Sequence, residues 1–347
     1  MVITAVAVGT RGDVNPLAEL GEEMIKRGHE FRILTSEAFR PLIESKGVTY
    51  LKLDTEADHV MQYLVAEYKT SIDFMKGMFR LKKENPGFME QTVSAIRGSD
   101  LVMYGTCGAF AYHAAECLKI PCARVFYSPM DPTSRVLMKP DPTWGDHIHV
   151  TGYWYHPDEA IDKYQPQEDL LKFLNSGEKP IFVAFGKAES KELAELQIRV
   201  LLALKETGIR AVIQADQIPK SDRVNTDQLY FIENVPYSYI FGKVRAVVHH
   251  GGNTTNGLGL RAGLPTLVIP LALDQYFYGR MDHRIGAGPA PLYIRKRLCT
   301  VDEIEGSLND LISGKYDKGA LEASKTILKE NGVIEAADAI EAYINEV

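Results

Sequence analysis

VVHHGGNTTNGLGLRAGLP, residues 247–265, followed by PLALDQ, residues 270–275, is the most informative stretch of this 347-residue chain. A short apolar run, 246–249, feeds directly into Gly251 and Gly252, and small polar residues then open a helix. Strand, glycine turn and helix in that order are the layout of a parallel α/β sheet at an anion site. The glycines let backbone approach a ligand, the first N–H groups of the helix point at it, and the helix dipole favours negative charge. Asn253, Thr254 and Thr255 can cap the helix or donate to phosphate oxygens. Glycine-rich turns with Asn and Thr caps also occur in α/β proteins that bind no phosphate. The pair His249-His250 shifts the balance, because an imidazole at a strand end facing a helix N-terminus suits a phosphate better than a core.

The same rhythm extends in both directions. Residues 2–8 form a nearly continuous apolar run ending in Gly9, as expected of a strand buried on both faces. Leu17, Leu20 and Met24 then recur at helical spacing up to Gly28. Residues 31–35, 48–53, 100–104 and 123–127 read as strands, with a helix over 109–118. After 179 the pattern restarts: strands over 181–185, 210–214, 246–249 and 266–270, helices over 193–204 and 304–312, and a helical tail from about 320 to 347. Strands separated by helical patterns imply βαβ units and doubly wound sheets. The expected organisation is a first α/β domain over 1–150, a linker over 151–178 punctuated by Pro157, Pro166 and Gly177, a second α/β domain over 179–330, and a terminal helix over 331–347.

Composition bounds the function. Hydrophobic residues make up 45% and charged residues 24% of the chain, enough for two cores of ordinary size. A net charge of −7 and a pI near 5.8 argue against nucleic acid as a partner. An anionic ligand must therefore find its positive potential locally. Cys107, Cys117, Cys122 and Cys299 have no metal-ligand spacing and read as free thiols in a reducing compartment. The chain opens on a strand with no charged leader, and no apolar run reaches the roughly 18 residues of a membrane span, so a cytoplasmic protein is expected.

Residues 246–298, closing with AGPAPLYIRKRL, resemble the donor-binding signature of family 1 glycosyltransferases, the group that includes sterol glucosyltransferases and bacterial macrolide and glycopeptide glycosyltransferases. GTRGDVNP, 9–16, and HVTGYW, 149–154, are similar to other motifs of that group. The resemblance implies the GT-B fold, two Rossmann-like domains facing each other across a cleft, and no cofactor: the nucleotide diphosphate sugar is a co-substrate. It implies that His250 contacts the donor diphosphate, with His249 beside it, and that Gly251, Gly252, Asn253, Thr254 and Thr255 form the turn. Asp274 and Gln275 would bond the sugar hydroxyls, and Val235 and Pro236 would lie beside the nucleobase. Gly186 would lie near the phosphates, although Lys187 stands where a small hydroxyl residue is usual. Thr254 likewise stands where a glycine is common.

Asp13 matches the residue read as general base, a role its ordinary pKa of roughly 3.9 suits. The plainer reading is a turn-forming Asp in Gly-Asp-Val. The mechanism implied is a single inverting displacement. No Asp-X-Asp triplet occurs in the chain, so no bridging metal is expected. Between Ser134 and Asp146 the chain is short by several dozen residues relative to the family. Phe74, Met75, Met78 and Phe79, interleaved with basic residues, are candidates for an apolar acceptor wall, for peripheral membrane contact, or simply for a helix packed on its own domain. The partners expected are a nucleotide-sugar donor (UDP favoured, dTDP also suitable) and an apolar hydroxyl-bearing acceptor, with no obligate protein partner. A catalytically silent sugar-nucleotide binder and a sugar-nucleotide epimerase are the rival readings.

Overall fold

The structure, a computed structural model, describes residues 1–54, 76, 83, 87–105, 108–125, 134–138, 141–154, 164–186, 191–214, 218, 223–271, 274–294 and 297–346. The chain forms two compact units, Met1–Tyr155 with Glu330–Val347, and His156–Lys329.

In the first unit the strands β1 (Val2–Val6), β2 (Glu30–Thr35), β3 (Thr49–Lys52), β4 (Leu101–Tyr104) and β5 (Cys122–Arg124) form one sheet in the order β3-β2-β1-β4-β5. Every neighbouring pair is parallel. Because successive side chains on a strand point to opposite faces, the continuous apolar runs fill two cores. Ile3, Ala5, Phe31 and Ile33 pack with Leu17, Leu20 and Met24 of helix α1 (Arg11–Lys26) and with Val333, Ala337 and Ile340 near the C-terminus. Val6, Leu34 and Val102 face the other way, onto Phe88 and Ile96 of α3 (Phe88–Ile96) and Ala111 and Ala114 of α4 (Phe110–Leu118). The short α2 (Arg40–Ser45) precedes β3.

The second unit repeats the plan. Strands β6 (Ile181–Ala184), β7 (Ala211–Gln214), β8 (Leu229–Ile232), β9 (Val247–His249) and β10 (Thr266–Val268) pair in parallel in the order β10-β9-β6-β7-β8. Ile181, Val183, Ile213, Val248 and Leu267 pack on α6 (Lys191–Thr207) and α10 (Val301–Leu311). Phe182, Ala184, Val212 and Val247 pack on α5 (Glu168–Asn175) and α7 (Tyr237–Phe241). Helices α8 (Asn253–Arg261), α9 (Gln275–Arg284) and α11 (Asp317–Ile327) complete the unit, and α12 (Gly332–Glu346) ends the chain within the first.

The fold class expected from the sequence is borne out in each unit, which is a parallel five-stranded sheet flanked by helices. Several elements differ from the sequence reading. Helix α5 lies inside the stretch read as linker, because Leu170 and Phe173 are buried against the sheet. The helical tail is two helices, α11 and α12, separated near Glu330. Strand β8 and helix α7 carry too few residues to show a period. Among the described residues no helix is long and apolar enough to cross a membrane, and Cys117, Cys122 and Cys299 are free thiols.

Candidate functional site

In a parallel sheet all strands deliver their C-terminal ends to one edge, and ligands bind where the strand order reverses. In the second unit the chain runs from β6 outward to β7 and β8, then returns to place β9 and β10 on the opposite side of β6. The reversal lies between β6 and β9. At that point Gly186 follows β6, and His250, Gly251 and Gly252 follow β9.

The His250 ring fits between two glycine turns. A side chain added at Gly186, which has φ +73°, would place its Cβ 3.3 Å from His250 Cε1, and one at Gly252 would lie 2.7 Å from His250 Nε2. Burial pushes the His250 pKa down to about 4, against a backbone interaction with Ala184 that favours the charged ring. Its Nδ1 is buried without a well-formed hydrogen bond. The ring is therefore neutral before a ligand arrives. Gly252 is the N-cap of α8 and supplies no side chain to satisfy the first helical N–H groups. An anion placed there meets these amides, the helix dipole and an imidazole whose pKa it raises.

Gly251 joins this turn to the next motif. Its φ is +93°, and a Cβ would come within 2.8 Å of Val268 Cγ1, 3.0 Å of the Gln275 carbonyl oxygen and 3.1 Å of Gln275 Cα. The glycine turn thus rests directly on the first residue of α9. Asp274 is the N-cap of that helix, and Gln275 Oε1 accepts from the Leu271 N–H at 2.8 Å, closing the 271–275 turn. Thr254 is partly exposed at the start of α8 while Thr255 is buried, and Asn253 Oδ1 is buried without a partner. At the same sheet edge, Val235 is buried after β8 and Pro236 caps α7. Tyr237 OH donates to Gln214 Oε1 at 3.4 Å, and Gln214 Nε2 donates to the Glu233 carbonyl at 3.1 Å. The second-unit candidates from Gly186 to Gln275 that the structure describes gather at one sheet edge.

His249 lies beneath the turn, fully buried. Its Nδ1 accepts from the Gly251 N–H at 2.9 Å. Burial, reinforced by His250, pushes its pKa down to about 3, with Asn256 acting in the opposite direction. Asn256 Nδ2 donates to Asp282 Oδ1 at 3.1 Å, and both side chains are buried. Burial raises the Asp282 pKa to about 8, while Asn256 lowers it. Sequence reading overlooked Asn256 and Asp282. The available signal was a polar residue on a buried helix face, since Asp282 lies one turn beyond the buried Tyr278.

In the first unit, Asp13 sits where β1 gives way to α1, at the reversal between β1 and β4. Thr10 caps α1 and its N–H and Oγ1 donate to Asp13 Oδ2 at 2.7 and 3.0 Å. The carboxylate lies over Gly9, where a Cβ would approach Oδ2 to 2.3 Å and φ is +147°. Burial raises the Asp13 pKa in spite of the Thr10 hydrogen bonds. Asp13 is therefore a capping-box residue with one oxygen committed to the helix start.

Phe74, Met75, Met78, Phe79 and Lys187 lie outside the described residues. Among the described residues no three His, Cys, Asp or Glu side chains are grouped as metal ligands would be.

Residues 3–134 match the glycosyltransferase family 28 N-terminal domain. The chain is 25% identical to the sterol 3-beta-glucosyltransferase of Yarrowia lipolytica over 425 aligned positions, covering 98% of this chain and 28% of that protein. It is 24% identical to a sterol 3-beta-glucosyltransferase of Arabidopsis thaliana over 431 positions, covering all of this chain and 66% of the relative. The chain thus spans well under two thirds of the fungal proteins it resembles, and the aligned length shows that the relatives carry insertions. Among solved structures, CalG4, the calicheamicin glycosyltransferase, superposes with a TM-score of 0.76 at 16% identity, covering 100% of this chain and 98% of that one. VinC in complex with dTDP gives 0.71 at 14% identity, covering 98% and 99%. The fold is GT-B, residues 3–134 resemble a glycosyltransferase N-terminal domain, and the chain is similar to both groups, as the sequence motifs implied.

Proposed function

We propose that this chain transfers a hexose from a nucleotide diphosphate sugar, UDP-linked in preference to dTDP-linked, to a hydroxyl of an apolar lipid or natural-product acceptor, with inversion and without a metal ion. The observation that carries the reading is the His250 ring, held between Gly186 and Gly252 in front of a helix N-terminus that no side chain caps. That arrangement receives a diphosphate and stabilises the charge that grows on it as it leaves. The Arabidopsis and Yarrowia sterol glucosyltransferases and the dTDP complex of VinC support the substrate classes.

In the proposed step the acceptor oxygen attacks the anomeric carbon as the bond from that carbon to the diphosphate oxygen breaks. The acceptor proton passes to the Asp13 carboxylate, whose raised pKa makes it a stronger base than an ordinary Asp. His250 and the α8 amides take up the diphosphate charge, and Asp274 and Gln275 hold the sugar. The lack of an Asp-X-Asp triplet supports a metal-free route. A second reading, donor binding without transfer, draws on the Thr10 bonds that already engage Asp13. Incubation with α-linked UDP-glucose or dTDP-glucose and a panel of sterols and macrolides, in EDTA, tests the proposal. A β-linked product by NMR supports it; an α-linked product, a strict requirement for added divalent metal, or donor binding with no transfer refutes it.

A further inference from the structure

We infer that Asn256 and Asp282 act with His249 as a buried lock on the Gly251 peptide, positioning the turn that holds the diphosphate. The inference deepens the donor reading above and rests on it.

Two adjacent glycines have little backbone preference of their own, and Gly251 stands at a φ of +93°. A specific interaction must therefore select one orientation of this peptide. The hydrogen bond from Gly251 N–H to His249 Nδ1 does so. A ring nitrogen accepts only through its lone pair, so the neutral His249 ring carries its proton on Nε2. That Nε2, a donor, and Asn256 Oδ1, an acceptor, are both buried without a hydrogen-bond partner. Asn256 nonetheless favours the protonated ring through a side-chain interaction. The Asn256 amide cannot rotate to suit itself, because its Nδ2 is committed to Asp282 Oδ1 at 3.1 Å. Asp282 in turn fixes the orientation of Asn256, Asn256 that of His249, and His249 the peptide.

The segments joined are the end of β9, the second turn of α8 and the body of α9, the helix whose first residue supports Gly251 from the other side. Removing the lock leaves buried groups without partners and releases the peptide whose neighbours present their N–H groups to the anion. The nucleobase end of the site, around Val235, has no share in these bonds. Loss of the lock should therefore weaken the diphosphate and spare the nucleoside.

Calorimetric titration of UDP and of uridine against the intact chain and its Asn256→Ala and Asp282→Asn variants tests this. Asn256→Ala is expected to weaken UDP about tenfold, the scale of one unsatisfied buried polar group, with uridine affinity unchanged. Asp282→Asn keeps an oxygen for Asn256 and is expected to stay within about threefold of the parent for UDP. Equal losses for UDP and uridine, or no loss for UDP, would overturn the lock. Nitrogen-15 imidazole spectra of the unmutated chain give a readout independent of ligand and of variant folding. A neutral His249 with its proton on Nε2 at pH 7 supports the lock, and a proton on Nδ1 or an imidazolium overturns it. Should the spectra agree while the parent binds neither UDP nor dTDP, the donor reading and the lock's role in it fall together, and only the hydrogen-bond chain remains.

Discussion

Gly251→Ala separates the packing of the glycine turn from its conformation. A β-carbon at this position faces two costs. Holding an L-residue at a φ of +93° costs about 1–2 kcal/mol. Crowding Val268 Cγ1 at 2.8 Å and the Gln275 backbone at 3.0–3.1 Å adds about 1–3 kcal/mol, since backbone cannot rotate aside as a side chain can. The total, about 2–5 kcal/mol, corresponds to a fall in Tm of roughly 5–15 °C for a unit of this size. Gly286→Ala is the matched control: φ is +72° there, but nothing lies within 4 Å of the added carbon, so only the first cost applies. Differential scanning calorimetry of the two variants, with UDP titrations beside it, reads the difference. Gly251→Ala should melt several degrees below Gly286→Ala and lose UDP affinity, while Gly286→Ala keeps it. If the two variants melt together, the glycine turn does not rest on α9, and the joining of the His-Gly-Gly and Asp-Gln motifs fails with it.

Asp282→Asn should change how stability depends on pH. A carboxyl whose folded pKa is raised to about 8 stabilises the fold fully only below its ordinary value near 3.8, and loses that contribution as pH rises toward 8. The variant lacks the loss, so its stability relative to the parent should climb across that window by up to about 1.4 kcal/mol per pH unit and then level off; a difference flat from pH 4 to 8 in urea titrations would contradict the raised pKa of this buried carboxyl. His250 starts from a pKa near 4, and a bound diphosphate raises it, so UDP binding near pH 6 should take up protons in the parent and less in His250→Asn. Equal uptake in calorimetry across buffers of different ionisation enthalpy would place His250 away from the diphosphate.

Much of this was legible in the sequence because the signals were local. The run 246–249 broken by His249-His250-Gly251-Gly252 marks a strand and a turn within a few residues, and Leu17, Leu20 and Met24 mark the buried face of α1. Thr10 and Asp13 stand at capping-box spacing, so even the plainer role of Asp13 was readable. Strand β8 and helix α7, of four and five residues, are too short for a period to emerge. Helix α9, QYFYGRMDHR, mixes aromatic, charged and glycine residues without an apolar stripe, because the residues it buries are Tyr278, Gly279 and Asp282. The Asn256–Asp282 bond spans 26 residues between two helices. No pattern in a single sequence encodes such a pair, which follows only from how the helices pack.

Asp13→Asn separates sugar transfer from donor binding. The amide keeps an oxygen for the Thr10 N–H, so the start of α1 survives, while the basicity is removed. Donor affinity by calorimetry and initial rates of acceptor glycosylation by mass spectrometry are measured on the same preparations. The parent is expected to add a hexose to an apolar acceptor, and the variant to bind UDP as tightly while turning over about 10²–10⁴-fold more slowly. Transfer at the parent's rate by Asp13→Asn would contradict the assignment of the base, and a parent that binds UDP yet glycosylates none of the acceptors would contradict the function itself.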